Sequence, residues 1–248
     1  IQEFSKLPLK DIEIAFSKFE KRQTSDEEKI RLTRELLHKV FGAFSSEKLF
    51  NKKILDKKTS EEILKKHSST RERFEHYNKI YGRIFAGIGK KVSVIDLGAG
   101  INGFSYDYFK GMGLKIEYIG IEAMGQLVEL TNNYFRKEKL DGKAVHLSLF
   151  DLKEVRKIVE KTEKPRVVFL FKTIDSLELL ERDYSKKLIF ELIGKCDRFI
   201  VSFATRSLIS RKKFKVKRYW FENFVKENFK VLDDFEMGGE RYLVFGEK

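Results

Sequence analysis

The residue types that could do chemistry concentrate between Asp96 and Asp151. An apolar run, Val92-Ser93-Val94-Ile95-Asp96-Leu97, leads into Gly98-Ala99-Gly100-Ile101-Asn102-Gly103. This reads as G-x-G-x-x-G after a strand and before a helix. Glycines there let the backbone approach a ligand closely, and an acidic residue at the end of the next strand can accept hydrogen bonds from two ribose hydroxyls. Glu122 ends the run Lys115–Glu122 and fills that position. By spacing alone the pattern describes an NAD site as well as any other adenosine-containing cofactor. Asp96 extends it to D-x-G-x-G, where a carboxylate can orient the glycine loop and attract a cationic ligand. Phe150 and Asp151 close the next apolar run. The acid can accept from an adenine amino group while the aromatic packs on the ring; Asp151 could equally cap a helix from Leu152 onward. Ala99, Ala123, Leu152 and Phe171 border these positions and complete the expected cofactor-binding set.

These residues need a scaffold, and the chain reads as one. Apolar runs of strand length alternate with helical stretches from Val92 on: VSVIDL, KIEYIGIE, AVHLSLF, RVVFLF and RFIVSF. That alternation predicts βαβ units and a parallel sheet covered on both faces. The last two runs, Lys230–Phe235 and Arg241–Phe245, are joined only by Glu236-Met237-Gly238-Gly239-Glu240. So short a linker holds no crossover helix, so these strands must be antiparallel. Before residue 89 no strand is evident. Ile12-Phe16-Phe19, Ile30-Leu36-Leu37-Val40-Phe41 and Phe74-Tyr77-Tyr81 recur at helical spacing. Thr24-Ser25-Asp26-Glu27 and Thr59-Ser60-Glu61-Glu62 look like helix starts. The expected organisation is an α/β chain with a helical N-terminal domain over 1–88. A class I (Rossmann-like) methyltransferase sheet, with its terminal antiparallel hairpin, follows over 89–248.

Asp96, the terminal hairpin and the Phe150–Asp151 pair favour S-adenosylmethionine over NAD. No plausible hydride-site histidine is evident. Cytosine-C5 chemistry needs a cysteine after the fourth strand, and the one cysteine, Cys196, stands elsewhere. Exocyclic-amine enzymes carry an Asn/Asp-Pro-Pro-aromatic turn where this chain has Phe171-Lys172-Thr173-Ile174-Asp175.

Four segments carry a family resemblance. They are His67-Ser68-Ser69-Thr70-Arg71-Glu72-Arg73 with Tyr77 and Tyr81, Asp96–Asn102, Phe171-Lys172-Thr173-Ile174, and Val201–Leu208 with Arg211. Over about residues 65–248 the chain resembles the aminoglycoside-resistance ribosomal RNA methyltransferases. Those enzymes methylate guanine N7 in the decoding region of small-subunit RNA. The resemblance implies that the helical domain over 1–88 binds RNA, that the His67–Arg73 segment lies over the cofactor pocket and that Arg71 holds the methionine carboxylate by a bidentate fork. Ser69 or Thr70 as a helix cap, with Glu72 and Arg73 solvated, is the plainer reading of the same residues. Gly103, Asp175 and Ser210 depart from the family pattern. They sit in loops that hold substrate, so a transfer RNA guanine is an alternative target, and a non-catalytic RNA-binding protein a further alternative.

The charge balance agrees with an RNA partner. Net charge is +13, and residues 1–89 hold 20 basic and 14 acidic residues, so the excess is shared by both halves. A basic surface favours polyanions. In Arg211–Arg218, six of eight residues are basic, with Phe214 inside and Tyr219 and Trp220 beside them. Lys172, Arg206, Arg211, Lys212, Lys213, Lys215 and Lys217 are the expected RNA contacts; Trp220 is expected in the core. Lys172 is expected to touch a phosphate or a base edge, with no role in proton transfer. A single cysteine permits no intrachain disulfide, and Ile1–Lys10 has no signal-peptide core. A cytoplasmic monomer acting on the small ribosomal subunit, with no metal, is the expectation.

Overall fold

The structure is a computed structural model and describes residues 6–42, 59–205 and 218–248. Seven strands form one sheet in the order β3-β2-β1-β4-β5-β7-β6. They are β1 Lys91–Leu97, β2 Lys115–Glu122, β3 Gly142–His146, β4 Arg166–Phe171, β5 Arg198–Ala204, β6 Lys230–Met237 and β7 Glu240–Gly246. The first five are mutually parallel. β7 inserts antiparallel between β5 and β6. The central strands are buried along nearly their whole length, as sheets covered on both faces require, so they read as continuous apolar runs. Chain order reverses between β1 and β4, which opens a crevice at the carboxyl ends of those two strands, where ligands bind in open α/β sheets.

The third apolar run ends sooner than its hydropathy suggests. β3 stops at His146, and Leu147–Phe150 form a loop, with Leu149 and Phe150 buried. Those side chains turn under the crevice instead of continuing the ladder. The hairpin strands run further than expected, leaving only Gly238 and Gly239 in the turn, at φ +62° and +78°. That left-handed pair suits a two-residue hairpin. A Cβ on Gly238 would lie 2.7 Å from His76 and 2.8 Å from the Glu72 carbonyl, so the turn packs directly on the segment before β1.

Residues 6–42 form two helices, α1 Leu9–Glu20 and α2 Asp26–Phe41. Ser25 caps α2 by accepting from the Glu28 N–H at 3.3 Å. Thr59 and Glu62 form a reciprocal capping box on the helix Ser60–Lys66. In α1 the buried side chains are Asp11 and Ala15, while the stripe Ile12-Phe16-Phe19 is only half-buried. The helix is thus rotated to aim a carboxylate at the sheet domain. Contact is made at both ends: the Lys6 carbonyl accepts from Gly125 N–H at 3.2 Å, and Ser176 donates to the Val40 carbonyl at 3.5 Å. Trp220 is 42% exposed, not in the core. The helix Tyr219–Asn228 turns Phe221, Phe224 and Val225 inward, and Trp220, one position away, faces out with the Lys186 ammonium 5.2 Å above its ring.

Candidate cofactor site

The crevice above β1 and β4 is a lined cavity. Asp96, Gly98, Ala99, Gly100 and Asn102 form one wall; Glu122, Ala123 and Phe150 another; Phe171, Lys172 and Thr173 a third. Gly98 and Gly100 have φ +71° and +52°, in the left-handed region. A Cβ at Gly98 would meet the Thr173 hydroxyl at 2.7 Å, whereas at Gly100 nothing stands within 4 Å. The first glycine therefore closes the loop on its neighbour, and the second keeps open the space above it.

Asp96 organises the loop. It is buried and accepts from Asn102 Nδ2 at 2.7 Å and from the Tyr118 hydroxyl at 2.6 Å. Burial pushes its carboxyl up to about 6, against the pull of those hydrogen bonds. Asn102 Oδ1 in turn accepts from Arg73 Nη1 and from the Tyr77 hydroxyl, both at 2.9 Å. Glu122 is buried with its two oxygens accepting from Gly100 N–H and Met124 N–H, each at 2.8 Å. Burial raises its pKa and those backbone donors oppose the rise. A carboxylate oxygen has more than one acceptor direction, so Glu122 retains capacity toward the cavity.

The arginine at the cavity is Arg73, not Arg71. Both lie on the helix Ser68–Arg73, but two residues turn a helix by about 200°, so the two cannot share a face. Arg71 is exposed and outside the cavity wall; Arg73 is 3% exposed and within it. Its Nε lies 3.3 Å from Glu240, and its guanidinium stands 4.9 Å over the Phe171 ring. Lys172 pairs with Glu72 and, at 3.3 Å, with the same Glu240. Glu240 also accepts from Ser202. His67 and Thr70 complete this wall, Thr70 donating to the Leu64 carbonyl at 2.6 Å instead of capping a helix. Burial, with Arg73 and Lys172 nearby, pushes the His67 imidazole down to about 4, so it is neutral at pH 7.

Asp151 and Leu152 also fall outside the wall. Asp151 is exposed at the N-cap position of Leu152–Lys161, and its side chain makes no capping bond. The early end of β3 explains this: Leu149 and Phe150 take the inward places, and the next residues turn out. Sequence reading missed the contribution of the N-terminal helices, Asp11, Val40 and Phe41, and of Leu177 and Leu180. None of these left a readable mark: Asp11 and Ala15 are buried where the apolar stripe suggested Ile12, Phe16 and Phe19. Arg206, Arg211, Lys212, Lys213, Lys215 and Lys217 lie outside the described residues.

The residues present fit an adenosine cofactor carrying a charged tail. Glu122 offers ribose acceptors, the loop leaves open space at Gly100, and Asp96 and Arg73 supply opposite charges for an ammonium and a carboxylate.

Comparison with known proteins follows the same lines. A family model described as ribosomal RNA methyltransferase (FmrO) matches residues 56–244. The 16S rRNA (guanine(1405)-N(7))-methyltransferase of Proteus mirabilis is 24% identical over 185 residues, 73% of this chain and 63% of that protein. The enzyme of the same name from Micromonospora rosea is 29% identical over 182 residues, 72% of this chain and 62% of that protein. The chain thus matches somewhat under two thirds of the length of these curated relatives. The solved structure of 16S rRNA methyltransferase RmtF in complex with S-adenosyl-L-homocysteine superposes with a TM-score of 0.81 at 21% identity, covering 100% of this chain and 94% of that one. That of the 16S rRNA methylase ArmA gives 0.59 at 26% identity, covering 81% and 97%.

Proposed function

The chain belongs to the ribosomal RNA methyltransferase (FmrO) family, and from that membership we propose that it transfers a methyl group from S-adenosylmethionine to guanine N7 of small-subunit ribosomal RNA. The observation that carries the reading is the Asp96–Asn102–Arg73 hydrogen-bonded chain under a glycine loop whose Gly100 faces open space, with Glu122 at its side. When bound, S-adenosylmethionine would supply a methyl carbon on a sulfonium, open to in-line attack by a correctly placed lone pair, with the neutral thioether of S-adenosylhomocysteine as the leaving group.

Guanine N7 has such a lone pair at neutral pH, so no residue needs to remove a proton. That agrees with the cavity wall. His67 is held neutral by burial, and Lys172 is engaged by two carboxylates. The work left to the chain is placement, and orientation alone can supply many kcal/mol of a barrier. Arg73 would hold the methionine carboxylate, Asp96 would face the cationic end, and Glu122 the ribose. Phe171, under Arg73, and Lys172 would border the entering base. The basic run Arg211–Arg218 and the helical N-terminal region would hold RNA phosphates, the enzyme acting as a monomer in the cytoplasm.

Calorimetry tests the cofactor step. S-adenosylhomocysteine binding with no detectable NAD binding is the expected result, and the reverse order of affinities would overturn the reading.

A further inference from the structure

Asp11 stands out among the acids of this molecule. It sits in the first turn of α1, yet it is only 2% exposed and lines the cavity formed by the sheet domain. Its Oδ2 is buried and has no hydrogen-bond partner among the described residues. A buried carboxylate oxygen left unpaired is costly, and such an atom is commonly explained by a missing ligand or water. Burial pushes the Asp11 carboxyl up to about 6, against the pull of the Ser148 hydroxyl from the loop after β3 and of His146 at the end of that strand, with Asp151 adding a small push the other way.

The position is chemically specific. The charged groups Arg73, Lys172 and Asp96 gather over β1 and β4. Asp11 faces Glu122 at the end of β2 and Ser148 after β3, and the rest of the wall is apolar: Val40 from α2, Leu149 and Phe150 from the loop after β3, and Leu177 and Leu180 from the helix after β4. Glu122, at the end of β2, stands between the two regions. An apolar slot with one acceptor at its margin, beyond a ribose acceptor, fits a flat heteroaromatic ring with an amino group on its edge. Asp151, which sequence reading placed in this role, is exposed and is not part of the cavity wall.

We infer that Asp11, from the N-terminal helix, reads the adenine amino group of the cofactor, making α1 part of the cofactor site. The inference rests on the cofactor reading given above. A buried acceptor facing an amine rejects an analogue that presents a carbonyl there, because two oxygens then face each other without a proton.

Calorimetry with S-adenosylhomocysteine and S-inosylhomocysteine, which differ in replacing that amine by a carbonyl, tests it. The parent protein should prefer the adenine compound by at least about tenfold, one hydrogen bond to a charged acceptor being worth about that or more. D11N keeps the shape and can donate to the carbonyl, so it should narrow the ratio to within about threefold of unity. D11A should lose adenine affinity without gaining for the inosine compound. Thermal unfolding of D11N without ligand at pH 7 should show a fold at least as stable as the parent's, so a change in the ratio lies in recognition. Equal binding of the two compounds by the parent, or an unchanged ratio in D11N, would overturn the inference while leaving the cofactor reading intact. A parent that binds neither compound would overturn both.

Discussion

Arg73 keeps its charge where water barely reaches it, with a side chain 4% exposed beside a Glu240 side chain at 0%. Such a pair contributes little net stability, but removing one partner strands the other. R73A should therefore lower unfolding free energy by about 3–5 kcal/mol. R71A, on the exposed face of the same helix, should change it by under about 0.5 kcal/mol and leave cofactor affinity alone. Urea denaturation of the two variants checks this; equal effects would mean that Arg73 is not the buried member. Sequence reading could see an arginine-rich segment over the pocket but not which arginine turned inward, because the helix begins at Ser68 after a break at His67 that composition does not mark. For Glu122, by contrast, spacing alone pointed to the residue that the structure has on the cavity wall. E122Q should weaken S-adenosylhomocysteine binding by about 1.5–3 kcal/mol, as loss of a charged acceptor would. Affinity equal to the parent's would remove Glu122 from the ribose role.

At the scale of elements, the pH response of the free protein depends on how α1 meets the sheet. The Asp11 carboxyl, raised from 3.8 to about 6 by burial, holds its proton more tightly in the folded state than in the unfolded one. Its contribution is therefore full below pH 3.8 and is lost as pH rises through about 6, costing about 3 kcal/mol above that. D11N removes the titration, so the parent should lose stability relative to D11N between pH 4 and pH 7. Parallel pH profiles for the two proteins would show that Asp11 is not buried by α1 packing. The helix starts themselves were legible: Ser25 and Thr59 stand where cap residues followed by acids predict them, and T59A should cost about 1 kcal/mol. The strands were legible too, because both-face burial writes long apolar runs. What hydropathy could not show was the end of β3, since Leu147–Phe150 stay apolar while leaving the ladder to line a cavity. Nor could it show that α1 turns Asp11 inward, since an acid at a core-facing position looks like a break in the stripe.

For the whole molecule, charge is the property that concerns RNA. A net +13 spread over both halves of the chain leaves no single tail to account for binding. Replacing Lys212, Lys213, Lys215 and Lys217 together by Gln should reduce affinity for small-subunit RNA and flatten its salt dependence, by about 0.7–0.9 in log–log slope per lost phosphate contact. An unchanged slope would move the RNA footprint to the N-terminal helices. The parallel strands and the terminal antiparallel pair were readable at this scale because they follow from apolar runs and linker length, whereas the insertion of β7 between β5 and β6 was not. The joining of the N-terminal helices to the cofactor wall was not, because it depends on side chains far apart in sequence. The most direct test of the central claim is methylation of isolated small ribosomal subunits with methyl-labelled S-adenosylmethionine, followed by mapping of the modified base. N7-methylguanine carries a fixed positive charge that makes the chain cleavable after mild reduction and treatment with amine. Label incorporated at one guanine of the small-subunit RNA, with cleavage there, is the predicted result; label only on transfer RNA, or no transfer by a protein that binds the cofactor, would contradict it.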